Sequence, residues 1–371
     1  MKNSRDIDAG KLRHYLPLQT GHRVLDIALI LVPAALLVGY VSKSPVLIFI
    51  VSALGIIPLA ASLGKATEDL SSKLGEMLGG LLNATMGNAT ELIIAFFALH
   101  DGHQAVVKAS LSGSIIGNVL LVLGTSVWVG GVGRQRQTFD RRSVSASVTM
   151  LFIAVIALVM PAVYALSVHG HQATRTQALD RFSLWTGGVL IVVYACGLLF
   201  QIRSAEMPLV AEDSEGPKPP SWVPTVSLLL STVLIALLSE MLVKQIDAAQ
   251  HLLGLSAMFV GVVVVATVGN AAEHSTAIIM AHKDKMDLSL SICIGSSVQI
   301  ALFVAPVLVF ASFMMGNPMQ LIFSPLEIAG IALAVIILGM IVNDGETVWF
   351  EGVELIAAYL ILGIAFYLVP E

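Results

Sequence analysis

The sequence predicts an all-α, polytopic membrane protein of about 11 transmembrane helices. They form two inverted-topology five-helix repeats plus one extra N-terminal helix. Three observations predict this: a composition too apolar for a soluble chain, a duplicated polar motif, and an odd number of spans in each copy. Of 371 residues, 56% are hydrophobic and only 12% charged, against about 25% charged in soluble domains. Mean hydropathy is +0.87, and the net charge of −5 excludes nothing by itself. The motif is Ala84-Thr85-Met86-Gly87-Asn88-Ala89-Thr90-Glu91. It returns as Ala266-Thr267-Val268-Gly269-Asn270-Ala271-Ala272-Glu273, differing only at Met86/Val268 and Thr90/Ala272. Gly113-Ser114 returns at the same offset as Gly295-Ser296. Each motif runs into apolar sequence, where a carboxylate costs about 2.5–3.5 kcal/mol to insert. A costly feature that occurs twice points to the transport site of a membrane carrier.

Taken in order, the chain opens on a polar stretch, residues 1–23, with Lys2, Arg5, Asp6, Asp8, Lys11 and Arg13. It lacks the apolar run and small-residue cleavage site of a signal peptide, so the first span, 24–41, is expected to stay as an anchor outside the repeat. Spans follow at 45–63, 77–99, 104–130, 143–166 and 182–202, then at 222–243, 253–281, 288–314, 323–342 and 348–369. Backbone polar groups in lipid are satisfied within a helix, and these segments lack the apolar/polar alternation of a barrel strand. The expected units are therefore 1–44 (N-terminus and first helix), 45–203 (first repeat), 204–221 (linker) and 222–371 (second repeat). The linker, with Glu212, Asp213, Glu215, Pro217, Pro219 and Pro220, reads as an extended polar connection.

A cytoplasmic N-terminus places all but five of the 20 Lys and Arg in cytoplasmic segments, the exceptions being Lys43, Lys108, Arg175, Arg181 and Lys244. Five helices per half make the second copy enter the membrane from the opposite side, as in secondary transporters with a midplane site. Cys196 and Cys293 both fall in apolar segments and read as buried packing residues, with no disulfide framework.

Asn88 and Glu91 are three apart, as are Asn270 and Glu273, so on a helix each pair shares a face. Gly87 and Gly269 precede them and would let another backbone approach closely, or turn carbonyls inward. Carboxylate, carboxamide and carbonyl are hard oxygen donors, suited to a hard cation and to Ca²⁺ most naturally. Softer metals favour Cys and His. The bland alternative is a pair of small-residue packing motifs with a polar bond between helices; a carboxylate in both copies favours the ligand reading.

His274 has no counterpart in the first copy, where Leu92 stands; one helix position on from Glu273, it should flank the site, tuning Glu273 or simply hydrogen-bonding. Glu68 and Glu240 are candidate entry and exit posts on opposite sides, or plain interfacial charges. Asn118, Ser297 and Gln299 are expected to line the path or bond across helices, and Thr85 and Thr267 are weaker candidate ligands. Glu327, Asp344, Glu346, Glu351 and Glu354 sit near span ends and read as solvated interfacial charges.

The paired segments Gly87-Asn88-Ala89-Thr90-Glu91-Leu92 and Gly269-Asn270-Ala271-Ala272-Glu273-His274 resemble the two signature repeats of the calcium/proton exchangers, within the calcium/cation antiporter superfamily. The resemblance extends to Ala66-Thr67-Glu68, Gly113-Ser114-Ile115-Ile116-Gly117-Asn118, Gly295-Ser296-Ser297-Val298-Gln299-Ile300 and Asp344-Gly345-Glu346-Thr347. It implies that Glu91 and Glu273 are the central Ca²⁺ and proton ligands, helped by Asn88 and Asn270. Relatives of this kind carry a longer acidic segment between the halves, so the short one here puts Ca²⁺ regulation at that segment in doubt.

The expected function is secondary antiport of Ca²⁺ against H⁺ by alternating access, exporting cytosolic Ca²⁺. Two carboxylates facing each other in a dry site repel, so they hold either a divalent cation or protons. A monovalent Na⁺ or K⁺ antiporter and a cation channel are the alternatives. An intramembrane metalloenzyme is disfavoured because Glu273-His274-Ser275-Thr276-Ala277 is not HExxH. Expected partners are Ca²⁺ as transported substrate, H⁺ and the lipid bilayer, with no cofactor and no nucleic acid; a homo-oligomer is compatible with the sequence. Short loops and compact length suggest a prokaryotic plasma membrane.

Overall fold

The computed structural model describes residues 17–20, 23–167, 172–204 and 219–369. The polar residues 1–16 and the linker acids Glu212, Asp213 and Glu215 lie outside the described residues. Helices dominate. In chain order they are α1 (Arg23–Val41), α2 (Pro45–Gly75), α3 (Leu78–Met86), α4 (Ala89–His100), α5 (Gln104–Gly131), α6 (Arg141–Ser167) and α7 (Gln172–Ser204). After the linker come α8 (Trp222–Val243), α9 (Ile246–Leu253), α10 (Ala257–His282), α11 (Met286–Met314), α12 (Pro325–Ile341) and α13 (Trp349–Leu368). Among the described residues, nine helices are long and apolar enough to cross a membrane. The pair α3 and α4 passes the same test together across a 44° bend, and α12 is a shorter apolar helix.

The surface matches that reading. Tyr40, Leu166, Trp185 and Met314 are more than three-quarters exposed on the bundle exterior, where lipid rather than water meets an apolar side chain. Cys196 also faces outward, contrary to the packing role expected of it, whereas Cys293 is buried. The centre is formed by α5, α10 and α11, which are crossed by α3 and α4.

Close packing rests on small residues, as it does between helices in lipid. On the α2–α8 seam, Ser62 Oγ lies 3.3 Å from both Ser227 Oγ and Ser231 Oγ. Where α5 meets α13, a Cβ on Gly352 would lie 2.5 Å from the Gly124 carbonyl and from the Trp128 amide. Gly113 of α5 faces the Val262 backbone of α10 just as tightly.

Three helices carry a wide turn with i→i+5 hydrogen bonding: Gly117–Val122 in α5, Val260–Val265 in α10 and Ile300–Val304 in α11. Such turns mark functional sites, and the first and last follow the repeated Gly-Ser pairs.

Three expected boundaries move, one of them the start of the sixth span, expected at 182 but found at Gln172, where α7 begins. The second span was expected to end at 63, but α2 continues to Gly75, whose φ of 79° ends it. The polar extension stays helical because Lys65 reaches Asp69 (2.9 Å) and Glu68 (3.6 Å) one turn on. The span expected at 77–99 breaks into α3 and α4 at Gly87–Asn88.

One end of the bundle gathers three connections. Strands β1 (Gln137–Thr138) and β2 (Glu346–Thr347) pair antiparallel; Arg136 meets Glu346 at 2.7 Å, and Arg134 meets Asp284 at 3.4 Å. Glu346 is thus paired, and Glu351 caps α13 by accepting from Val348 N (3.0 Å) and Thr347 Oγ1 (2.5 Å); neither is simply solvated. Glu327 departs further from expectation: it is buried and completes a capping box with Ser324 at the start of α12.

Gly352→Ala should cost about 1–3 kcal/mol through overpacking, read as a lower Tm of the detergent-purified protein. Gly363→Ala, on the same helix with open space at its Cβ position, should leave Tm unchanged or raise it.

Candidate functional site

The two motif copies meet in the middle of the bundle, but they are not built alike. In the first, the chain breaks between α3 and α4, and Asn88 (φ −99°, ψ 23°) stands just before α4 with Glu91 in its first turn. In the second, α10 runs unbroken through Asn270 and Glu273. The shared-face expectation therefore describes α10 and not the broken α3–α4 pair.

The glycines explain how the copies come together. A Cβ on Gly269 would lie 2.5 Å from Glu91 Cγ, and a Cβ on Gly87 would lie 3.7 Å from Glu273 Oε1 and 3.3 Å from Gln299 Oε1. Gly269 makes room for Glu91 of the other copy, while Gly87, held tightest by the Asn83 carbonyl at 2.9 Å, only touches Glu273 at ordinary contact distance.

Around the carboxylates the polar groups form one connected set. Glu91 Oε1 accepts from Ser114 Oγ at 2.8 Å and from Asn270 Nδ2. Asn270 Nδ2 also lies 2.8 Å from Ser114 Oγ and 2.8 Å from the Ala266 carbonyl. Ser296 Oγ sits between the two asparagines, 3.2 Å from Asn88 Oδ1 and 3.5 Å from Asn270 Oδ1. Asn88 Nδ2 donates to Gln299 Oε1 at 2.5 Å, and Asn118 Nδ2 donates to Ser296 Oγ at 3.0 Å. With Nδ2 so committed, Asn118 Oδ1 faces His274 Nε2 at 3.0 Å, which puts the imidazole proton on Nε2. Asn88, Glu91, Ser114, Asn118, Asn270 and Ser296 are all buried. Glu273 Oε2 is buried without a hydrogen-bond partner among the described residues.

Not every expected residue joins this set. Ser297 is buried and donates to the Cys293 carbonyl of its own helix (2.8 Å) rather than to a residue of the cluster. Thr85 likewise donates back to Leu81 and Leu82 of α3, and Thr267 is exposed. Glu68 pairs with Lys65, and Glu240 pairs with Lys244 at 2.6 Å; neither hydrogen-bonds to the cluster. Ser114 and Ser296, by contrast, sit at its heart although they were not expected as ligands; the Gly-Ser pair repeated at the motif's own offset was the signal for them. Tyr194, whose hydroxyl donates to the Ala84 carbonyl at 3.3 Å beside the break, carried no sequence signal at all.

Chemically the cluster offers carboxylate, carboxamide and hydroxyl oxygens and no sulfur. Among the described residues no group of three His, Cys, Asp or Glu side chains converges as a metal cage. Any cation held here draws on amide and hydroxyl oxygens beside the two carboxylates, a donor set for a hard ion.

A multi-pass helical bundle with a buried and a half-buried carboxylate at the meeting of two repeated motifs defines a membrane protein with an internal polar site. The family described as sodium/calcium exchanger protein matches residues 44–203 and 223–368, and the chain belongs to that family. It is 40% identical to a protein of Synechocystis sp. named Ca(2+)/H(+) antiporter, over 95% of this chain and 99% of that one. It is 41% identical to the Ca(2+)/H(+) antiporter ChaA of Bacillus subtilis, over 91% of this chain and 96% of the other. Among solved structures, native YfkE superposes with a TM-score of 0.80 at 39% identity, covering 92% of this chain and all of that one.

Asn270→Leu removes the amide donor to Glu91 and Ser114 and should destabilise the protein by about 1–3 kcal/mol, measured as a drop in Tm. Thr85→Val, which breaks only a bond within α3, should leave Tm nearly unchanged.

Proposed function

We propose that the chain is a secondary antiporter that exchanges Ca²⁺ for H⁺ across the membrane. The observation that carries this reading is the crossed seating of Glu91 against Gly269 and of Glu273 against Gly87, in a chain whose relatives at about 40% identity are named Ca(2+)/H(+) antiporters. Glu91 and Glu273 are the ligands shared by Ca²⁺ and protons. Asn88, Asn270, Ser114 and Ser296 supply or orient neutral oxygens, and His274 and Gln299 hold Asn118 and Asn88 in place.

The mechanism follows from electrostatics. Glu91 reaches Gly269 and Glu273 lies beside Gly87, so the two acids share one site, where like charges repel. A divalent cation cancels both charges, and so do two protons, so each cargo displaces the other. An empty site carrying two negative charges is costly to move through a low-dielectric bundle, which forbids the unloaded return and couples the fluxes. Loaded forms reorient and the uncompensated form does not.

The two motif copies support reading residues 45–203 and 222–371 as inverted-topology repeats, with α1 outside them. Lys and Arg concentrate at the end where β1 and β2 pair, which supports a cytoplasmic N-terminus and export of Ca²⁺ from the cytosol. The prokaryotic relatives support placement in the plasma membrane.

Ca²⁺ uptake into everted vesicles, driven by an inside-acid pH gradient, tests the reading. The wild type should accumulate Ca²⁺, while Glu91→Gln and Glu273→Gln should each lose transport to background although the protein remains in the membrane. Retained exchange in both variants overturns the site assignment, and gradient-driven movement of Na⁺ or K⁺ without Ca²⁺ overturns the substrate. Gly269→Ala, which pushes on Glu91 Cγ, should raise the Ca²⁺ concentration for half-maximal transport about tenfold.

A further inference from the structure

Far along the bundle from β1 and β2, where the connections 101–103, 244–256 and 315–324 lie, a cavity of about 510 Å³ opens. Lys108, Gln250, His251, Ser256 and Glu327 contribute its polar wall. Three helices begin there. Lys108 stands near the start of α5, Ser256 caps α10 by accepting from Phe259 N at 3.1 Å, and Ser324 caps α12. All three therefore turn the positive ends of their dipoles toward this space.

The hydrogen-bonding account of the wall is lopsided. Glu327 has both oxygens engaged, Oε1 by Ser112 Oγ at 3.0 Å and Oε2 by Ser324 N at 2.8 Å. Ser256 Oγ donates to the Phe366 carbonyl at 3.3 Å. Lys108 Nζ donates to the Ile322 carbonyl at 3.0 Å, one of the three N–H bonds an ammonium offers. Gln250 is only 8% exposed, and its amide nitrogen has no hydrogen-bond partner among the described residues. The polar atom that the wall buries without a partner is a donor, the Gln250 amide nitrogen, so the ligand that completes it brings an acceptor oxygen.

We propose that this cavity binds the phosphate of a membrane lipid headgroup, held by Lys108, the Gln250 amide and the helix starts. The volume lies within the roughly 300–1,000 Å³ of small-molecule sites and exceeds what a single oxyanion fills. Helix starts mark the depth of the membrane interface. Beside them α9 buries Ile246 and Ala249 while leaving Leu252 and Leu253 exposed, as a helix lying along the interface does. Lys108 is among the five basic residues that the charge distribution of the sequence leaves unexplained, and the cavity gives it a role. The inference is independent of the cation site.

Wild type, Lys108→Met, Gln250→Leu and the surface control Lys43→Met are purified in detergent, and co-purifying phospholipid is counted by native mass spectrometry. Thermal unfolding is then titrated with short-chain phosphatidylglycerol and, separately, with inorganic phosphate. Wild type and Lys43→Met should retain lipid and gain Tm with the short-chain lipid. Both cavity variants should need about tenfold more lipid for the same gain, and inorganic phosphate should do nothing. Stabilisation by inorganic phosphate as large as that by lipid, lost in both variants, overturns the lipid source and leaves a free oxyanion as the ligand. Equal lipid retention and equal Tm shifts in all four proteins overturn the proposal. Gln250→Leu, which removes no charge, decides the matter should Lys108→Met fail to fold.

Discussion

The structure turns on two carboxylates held inside the helical bundle, Glu91 buried and Glu273 half-buried. An anion at that depth is tolerated only when donors surround it, and Glu91 has them: the Ser114 hydroxyl and the Asn270 amide. Those donors come from α5 and α10, so accommodating one acid fixes the mutual position of the helices at the centre. The remaining polar bonds, through Ser296, Asn88, Gln299, Asn118 and His274, extend that constraint into α11 and across the broken α3–α4 pair. Glu273 is the contrast. One of its oxygens is buried without a partner, and an incompletely satisfied acid is the group with most to gain from a cation or a proton.

Rigidity and freedom are distributed accordingly. Serine and glycine seams bring α2 against α8 and α5 against α13, and the β1–β2 pairing with the Arg136–Glu346 ion pair ties the connections at one end. The irregular backbone sits instead around the site, in the 44° bend at Gly87–Asn88 and in the three wide turns. Irregularity at membrane depth is tolerated where protein covers it, and here side chains of the cluster do so.

Much of this was legible in the sequence because lipid imposes simple rules. Apolar length gave the helices, and the duplicated motif gave the residues that meet at the centre. What escaped was of three kinds. Residues whose polarity is satisfied within their own helix, such as Ser297, Thr85 and the Lys65–Asp69 pair, look from the sequence like those that reach across, since i,i+4 geometry is invisible without the fold. The different backbones of the two copies were also hidden: sequences differing at Met86/Val268 and Thr90/Ala272 predict the same helix, yet the first copy breaks at Gly87–Asn88 and the second runs on. Glu327 escaped for a third reason: a carboxylate near a span end reads as solvated until the serine that caps with it, and the serine above it on α5, are seen.

The crossed seating of glycine and glutamate has an evolutionary consequence. The space at Gly269 is set by Glu91 of the other copy, whereas the space at Gly87 is set by the Asn83 carbonyl of its own helix and by Gln299. Position 269 cannot drift alone. A larger residue at position 269 is relieved by a shorter acid at position 91, on a different helix in the opposite half, and changing its own neighbour at 273 relieves nothing. Compensating changes at position 269 pair across the duplication with position 91.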